Sequence, residues 1–169
     1  MQVKEAKQQF VQAWGALGSQ WGINKTMAQI HALMMVSTDA LSTEEIMSEL
    51  SISRGNANMN IRELTDWGLV TKVFKPGERR DYFVGEKDVW KIARQVAKIR
   101  KTRELDPILK LLTNLKELDI PVKNEDTKQF QKLVNEVYQL ATKVDRLIEG
   151  VFKAEESWFW DKMLKLFAK

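Results

Sequence analysis

The chain has 169 residues, 44% of them hydrophobic and 30% charged, a composition that supports a folded, soluble domain. No run approaches the roughly 18 apolar residues of a membrane span, and Met1 to Lys7 lack the apolar core of a secretion signal. There is no cysteine and a single histidine, His31, which excludes disulfides, thiolate metal sites and cysteine catalysis and argues against a histidine-based metal site or triad. The absence of cysteine fits a reducing cytoplasm, and nothing in the composition calls for a cofactor. The net charge of +4 and pI near 9.2 are compatible with a nucleic-acid partner, but only the placement of the charge is informative.

In chain order, Val3, Phe10, Trp14, Leu17 and Trp21 recur at helical spacing, and Gly22 ends that helix. Asn24 is placed to cap a second helix carrying Met27, Ile30, Met34 and Met35. His31 lies by its apolar face and is expected as a packed, hydrogen-bonded residue rather than a pH sensor. Ser37 to Leu41 reads as a connection. Ser42-Thr43-Glu44-Glu45 is a capping box ahead of a short helix that buries Ile46 and Leu50. Ser51 and Ile52 make a turn, and Ser53 caps a further helix from Arg54 to about Trp67, stopped by Gly68. Helix, tight turn, helix is the helix-turn-helix plan.

Two β-prone runs follow, Leu69 to Phe74 and Arg80 to Val84, on either side of Lys75-Pro76-Gly77-Glu78, which has turn chemistry. A hairpin in this position is a wing. Beyond Asp88 the chain returns to helix, with Val89, Ile92, Val96 and Ile99 on one stripe. Lys91, Arg94, Lys98 and Lys101 lie opposite, more readily a solvated face than a set of phosphate contacts. Asp106-Pro107 opens a short helix with Pro107 at its first turn, and Pro121 interrupts the pattern again. Phe130, Leu133, Val137, Leu140, Val144, Leu147 and Val151 then alternate steps of three and four. This is a heptad seam suited either to a second copy of the chain or to packing within one subunit. An aromatic tail, Trp158 to Phe167, is read as docking on a partner subunit, with a membrane-surface helix as the alternative.

Projected at 100° per residue, Ala57, Ile61 and Leu64 fall on the core side of the second motif helix. Gly55, Asn58, Met59 and Arg62 point away, with Asn56 at the flank. Arginine and asparagine suit guanine and adenine edges. Gly55 lets backbone approach a phosphate, and Ser53 and Arg54 at the helix start can hold one. Met59 either touches a thymine methyl or packs under the wing. In the wing, Lys75, Arg79 and Arg80 are the basic candidates. One arginine is expected to reach a minor groove and the other to bridge to Asp81, Asp66 or Glu78.

The runs Ser53 to Leu64, Trp67-Gly68-Leu69-Val70 and Lys75 to Tyr82 resemble the GbsR-type branch of the MarR superfamily of winged helix-turn-helix regulators. The similarity spans about Gly22 to Tyr82, although members usually carry serine at Asn58 and a larger aliphatic at Ala57. The resemblance implies a mainly α fold with a small β-hairpin wing. Its parts would be an N-terminal dimerisation helix (1–21), a winged helix-turn-helix (22–86) and a C-terminal helical dimerisation region (87–169). It implies a homodimer in a prokaryotic cytoplasm, bound to a pseudo-palindromic operator in double-stranded DNA, with repression or activation tuned by a small-molecule effector in many relatives. Some relatives respond to choline-like osmolytes, which makes Trp14, Trp21, Trp67 and Trp90 the candidates for an effector cage. Packing is the commoner reason for tryptophans on an apolar stripe. The competing reading is a winged-helix adaptor that binds protein and no DNA. An enzyme is excluded for want of a nucleophile–base pair, a metal cluster or a phosphate loop.

Overall fold

A computed structural model describes residues 2–118 and 124–153. Along the chain run α1 (Val3–Gln20), α2 (Lys25–Val36), β1 (Leu41–Ser42), α3 (Thr43–Leu50), α4 (Arg54–Asp66), β2 (Val70–Val73), β3 (Tyr82–Gly85) and α5 (Val89–Arg100). A π-helical turn (Lys101–Leu105), α6 (Asp106–Glu117) and α7 (Glu125–Lys153) follow. The residues fall into two compact units, Met1–Gln95 and Val96–Lys169. Pro121 and the tail holding Trp158, Phe159, Trp160, Met163, Leu164, Leu166 and Phe167 lie outside the described residues. Among the described residues no helix is long and apolar enough to cross a membrane.

The first unit is built on α2. Met27, Ile30 and Met34 of that helix are fully buried, as are Ile46 of α3 and Leu64 of α4. Asn24 caps α2, its Oδ1 accepting the Met27 N–H at 3.1 Å. α1 packs on α2, but through an unexpected face. Its buried positions are Val11, Gly15 and Gly18, while Val3, Phe10, Leu17 and Trp21 are exposed, Val3 by 74% and Trp21 by 57%. Trp14 is half-buried and stacks on Phe10, ring centroids 5.5 Å apart. Gly18 explains the choice: a Cβ there would stand 2.6 Å from the Cβ of Ala28. The helices approach too closely for any larger residue. Periodicity marks large apolar residues and is silent about glycine, so the face of α1 that packs on α2 gives no signal in the sequence.

The sheet has three strands in the order β1-β3-β2, all antiparallel. Leu41 lies opposite Phe83 and Ser42 opposite Tyr82, and Val73 pairs with Tyr82 from the other side. The expected hairpin is therefore present, with a strand added from what reads as a connection. Two residues are too few to show a strand's alternation.

His31 is buried to 4% exposure. Burial pushes its pKa down from 6.5 to about 4, with the nearby Glu86 carboxylate opposing. The packing was expected; the hydrogen bond was not found at Nε2, which has no partner.

In the second unit Leu112, Val134 and Ala141 form the core, joined by Leu105, Leu109, Leu115 and Tyr138. α7 thus turns Val134, Tyr138 and Ala141 towards α6. The heptad seam lies one position earlier on the helix and stays open, with Leu133, Leu140 and Leu147 exposed by 57%, 63% and 71%. Among the described residues nothing covers it. Pro107 does sit in the first turn of α6, but the chain stays helical ahead of it. The Asp106 N–H reaches back to the Lys101 carbonyl, five residues earlier. Proline lacks an N–H and its ring crowds the preceding turn, and a π turn is a known accommodation of such a disturbance. Lys101 leaves the solvated stripe expected for it. Its ammonium lies 2.9 Å from both Asp106 and Asp145 and 3.7 Å from Glu149, and the hydrogen bonds to Asp106 and Asp145 raise its pKa.

The depressed pKa of His31 sets a pH dependence. Below pH 6.5 the unfolded chain takes up a proton that the folded chain refuses until about pH 4, so stability present above 6.5 is lost as the pH falls through that window. Urea unfolding at pH 7.5 and pH 5 is expected to show a loss of about 2 kcal/mol from this group, and His31→Leu is expected to lose correspondingly less.

Candidate nucleic-acid interface

The helix-turn-helix is built by local chemistry at each end of its helices. Ser42 starts α3 with a full capping box: its Oγ accepts the Glu45 N–H at 3.3 Å, and the Glu45 carboxylate accepts the Ser42 N–H at 2.6 Å. Ser51 ends the helix in the left-handed region with φ 53°. Ser53 then caps α4, its Oγ accepting the Asn56 N–H at 3.3 Å. Gly68 stands just past the far end of α4 at φ 68°.

The rotation of α4 follows from what it buries. Ala57, Ile61 and Leu64 are 3% exposed or less, and burial of the Ile61 and Leu64 side chains is worth about 1.5–3 kcal/mol each. Gly55, Asn58, Met59 and Arg62 are consequently turned to solvent and Asn56 is half-buried. Met59 is 60% exposed, so it does not pack under the wing. A Cβ at Gly55 would meet nothing within 4 Å; the surface there is open to an approaching ligand. Arg54 is tied to α3 by an ion pair with Glu44 at 2.8 Å. The Glu44 carboxyl is held below its usual range by its own backbone N–H first and by Arg54 second.

In the wing, Lys75 to Glu78 form a turn closed by the Glu78 N–H on the Lys75 carbonyl at 3.1 Å. Gly77 takes the positive φ of 81° that the third turn position of a type II turn needs. The expected ion pair within the chain falls to the second arginine. Arg80 pairs with Glu78 at 3.2 Å, whereas Arg79 is exposed and has no ion-pair partner among the described residues. Lys72 pairs with Asp81 at 2.8 Å. Lys75 is less available than its sequence suggests: its ammonium donates to the Ala40 carbonyl at 3.3 Å and stands 4.0 Å over the Tyr82 ring.

Two residues of this surface escaped the sequence reading. Phe74, beside the wing turn, is 80% exposed, with the Lys72 ammonium 5.5 Å above its ring. Asn60 is 1% exposed on the core side of α4. The signal for Asn60 was available, because it lies three residues from Ala57 and next to Ile61 on the same projection. The tryptophans are spread over several elements: Trp14 on α1, Trp21 at its end, Trp67 buried at the end of α4, and Trp90 in the first turn of α5.

A capped two-helix motif followed by a basic, two-stranded wing matches the model of the MarR family, which covers residues 21–81. The likeness to the MarR family thus lies in the part of the chain that holds the helix-turn-helix and the wing. Among curated proteins it is similar to the HTH-type transcriptional repressor GbsR of Bacillus subtilis (strain 168), with 25% identity over 123 residues, 67% of this chain and 68% of that protein. Among solved structures it is similar to one described as the crystal structure of a transcriptional regulator. That likeness has a TM-score of 0.64 and 19% identity, and covers 86% of this chain and 94% of that one. At that identity the likeness concerns the fold alone.

The phase of α4 is testable by stability alone. Ile61→Ala is expected to cost about 2–5 kcal/mol in chemical unfolding, and Met59→Ala to stay within about 0.5 kcal/mol of the parent. A large loss from Met59→Ala would put that residue back under the wing.

Proposed function

We propose that this protein is a DNA-binding transcription regulator that grips duplex DNA with the outer face of α4 in the major groove and the wing in the adjacent minor groove. The observation that carries this reading is the pairing of one polar, small-residue helix face with an uncommitted arginine at the wing. Gly55, Asn58, Met59 and Arg62 lie exposed on α4, and Arg79 beside the wing turn has no ion pair among the described residues. A winged helix used only for protein contact has no need of either.

Roles follow from chemistry. Arg62 suits guanine O6 and N7, and Asn56 and Asn58 suit base edges. Met59 suits a thymine methyl. Ser53, Arg54 and the open backbone at Gly55 suit phosphates at a helix N-terminus. Arg79 suits a narrow minor groove. Arg80 and Lys75, held by Glu78 and by Ala40 and Tyr82, stiffen the wing and add to its positive field.

The active form in this reading is a homodimer. The exposed seam of α7 and the aromatic face of α1 are large apolar surfaces that one chain leaves uncovered, and such surfaces signal association. Two copies would place two α4 helices on half-sites about 34 Å apart along the duplex, and the operator expected of such a dimer is pseudo-palindromic. The likeness to a named repressor supports regulation of transcription as the outcome.

Fluorescence anisotropy on duplexes recovered from genomic DNA, across a salt series, tests the proposal. Arg62→Ala is expected to reduce discrimination between recovered and random duplexes by about 1–3 kcal/mol. Arg79→Ala is expected to weaken both about equally and to lower the salt slope by about one. Equal losses on both duplexes from both variants, or no binding at low salt by the parent, would contradict the assigned roles.

A further inference from the structure

Asn60 is a polar side chain, 1% exposed, on the core side of α4. Its Nδ2 donates to the Asn56 carbonyl at 2.8 Å and to the Asn56 Oδ1 at 2.7 Å. Its own Oδ1 is buried without a partner. A buried amide with an orphan oxygen is a poor choice for stability, since an apolar residue of similar volume leaves nothing unsatisfied.

The orientation of both amides follows from one fixed point. A backbone carbonyl only accepts, so the Asn60 atom beside the Asn56 carbonyl is the nitrogen. That nitrogen has two hydrogens, and the second meets the Asn56 side chain. The Asn56 atom it meets must then accept, and is Oδ1. One of the two lone pairs of the Asn56 Oδ1 is therefore engaged from the core side, which holds that oxygen towards the buried Asn60. The Asn56 Nδ2 makes no hydrogen bond among the described residues and is not buried, and the Asn56 backbone N–H is taken by Ser53. Asn58 is not constrained in this way. Its only such contact is with the Thr43 hydroxyl at 3.5 Å, and a hydroxyl can turn to donate or accept.

A free asparagine reads adenine by donating to N7 while accepting from N6, whereas guanine presents two acceptors, N7 and O6. We propose that Asn60 is a specificity-determining residue: by holding the Asn56 Oδ1 towards the inside of the domain, it leaves Nδ2 as the group presented outward and makes Asn56 a reader by donation, which selects guanine over adenine. This rests on the DNA-binding reading above. Asn60 touches no DNA and acts as a positioning residue through its neighbour.

The test uses the full chain and a pool of random-sequence duplexes. Duplexes selected by the parent are compared with those selected by Asn60→Leu, and single-base variants of the best duplex are then titrated. The position read by Asn56 is identified independently, as the one whose preference disappears in Asn56→Ala. At that position the parent is expected to favour guanine over adenine about tenfold. In Asn60→Leu this ratio should fall to about one or reverse, with other positions unchanged and the melting temperature equal or higher. In the Asn56→Ala background, adding Asn60→Leu should change nothing. Asn60→Ala removes the same donor without adding bulk, and is read in the same way if Asn60→Leu does not fold. An unchanged preference at the Asn56 position, or a loss spread evenly over all positions in step with lost stability, overturns the proposal while DNA binding stands. A parent that binds no duplex overturns the DNA reading and this inference with it.

Discussion

The packing of α4 against α2 fixes everything presented outward. Ala57, Ile61 and Leu64 can be buried together only at one rotation of the helix, because residues three and four apart share a face. Once that face is set, Gly55, Asn58, Met59 and Arg62 have nowhere to go but solvent. The apolar energy of the core, rather than any contact on the surface, thus aims the polar groups. Ser42 and Ser53 support the same rotation by capping their helices and fixing where each begins.

Around that helix, internal ion pairs sort the cations by availability. Arg54, Lys72 and Arg80 each meet a carboxylate within 3.2 Å, and Lys75 is held by a carbonyl and a ring. Exposed pairs of this kind contribute little stability, so their main effect is on geometry: they keep the wing's charge in place. Arg79 is left over among them and is the natural probe of a neighbouring groove. The net charge of +4 says little by comparison, because it averages over committed and uncommitted groups.

The motif was legible in the sequence because its signals are local. Capping residues, a left-handed turn, a glycine stop and a Pro-Gly turn all act within four or five residues of themselves, and the structure has each where the spacing placed it. The faces of α1 and α7 were harder. On α1 the packed face is marked by Gly15 and Gly18, which carry no apolar signal. On α7 two apolar stripes lie side by side, and the less conspicuous one, Val134, Tyr138 and Ala141, meets α6. Periodicity finds apolar stripes but does not say which partner covers them. Similarly, no reading of residue types could show that Glu78 would take Arg80 and leave Arg79, since both arginines are adjacent to the same turn. The strand β1 was missed for its length, and Lys101 for its carboxylate partners on other elements.

The central claim is that the outer face of α4 and the wing lie against DNA. The chain has no cysteine, so Met59→Cys and Arg79→Cys each create a single attachment point for a tethered DNA-cleaving reagent. On a bound duplex, the Met59→Cys conjugate should cut from the major groove near the centre of each half-site, and the Arg79→Cys conjugate from the neighbouring minor groove. Undiminished binding with no cleavage from either conjugate would contradict the account.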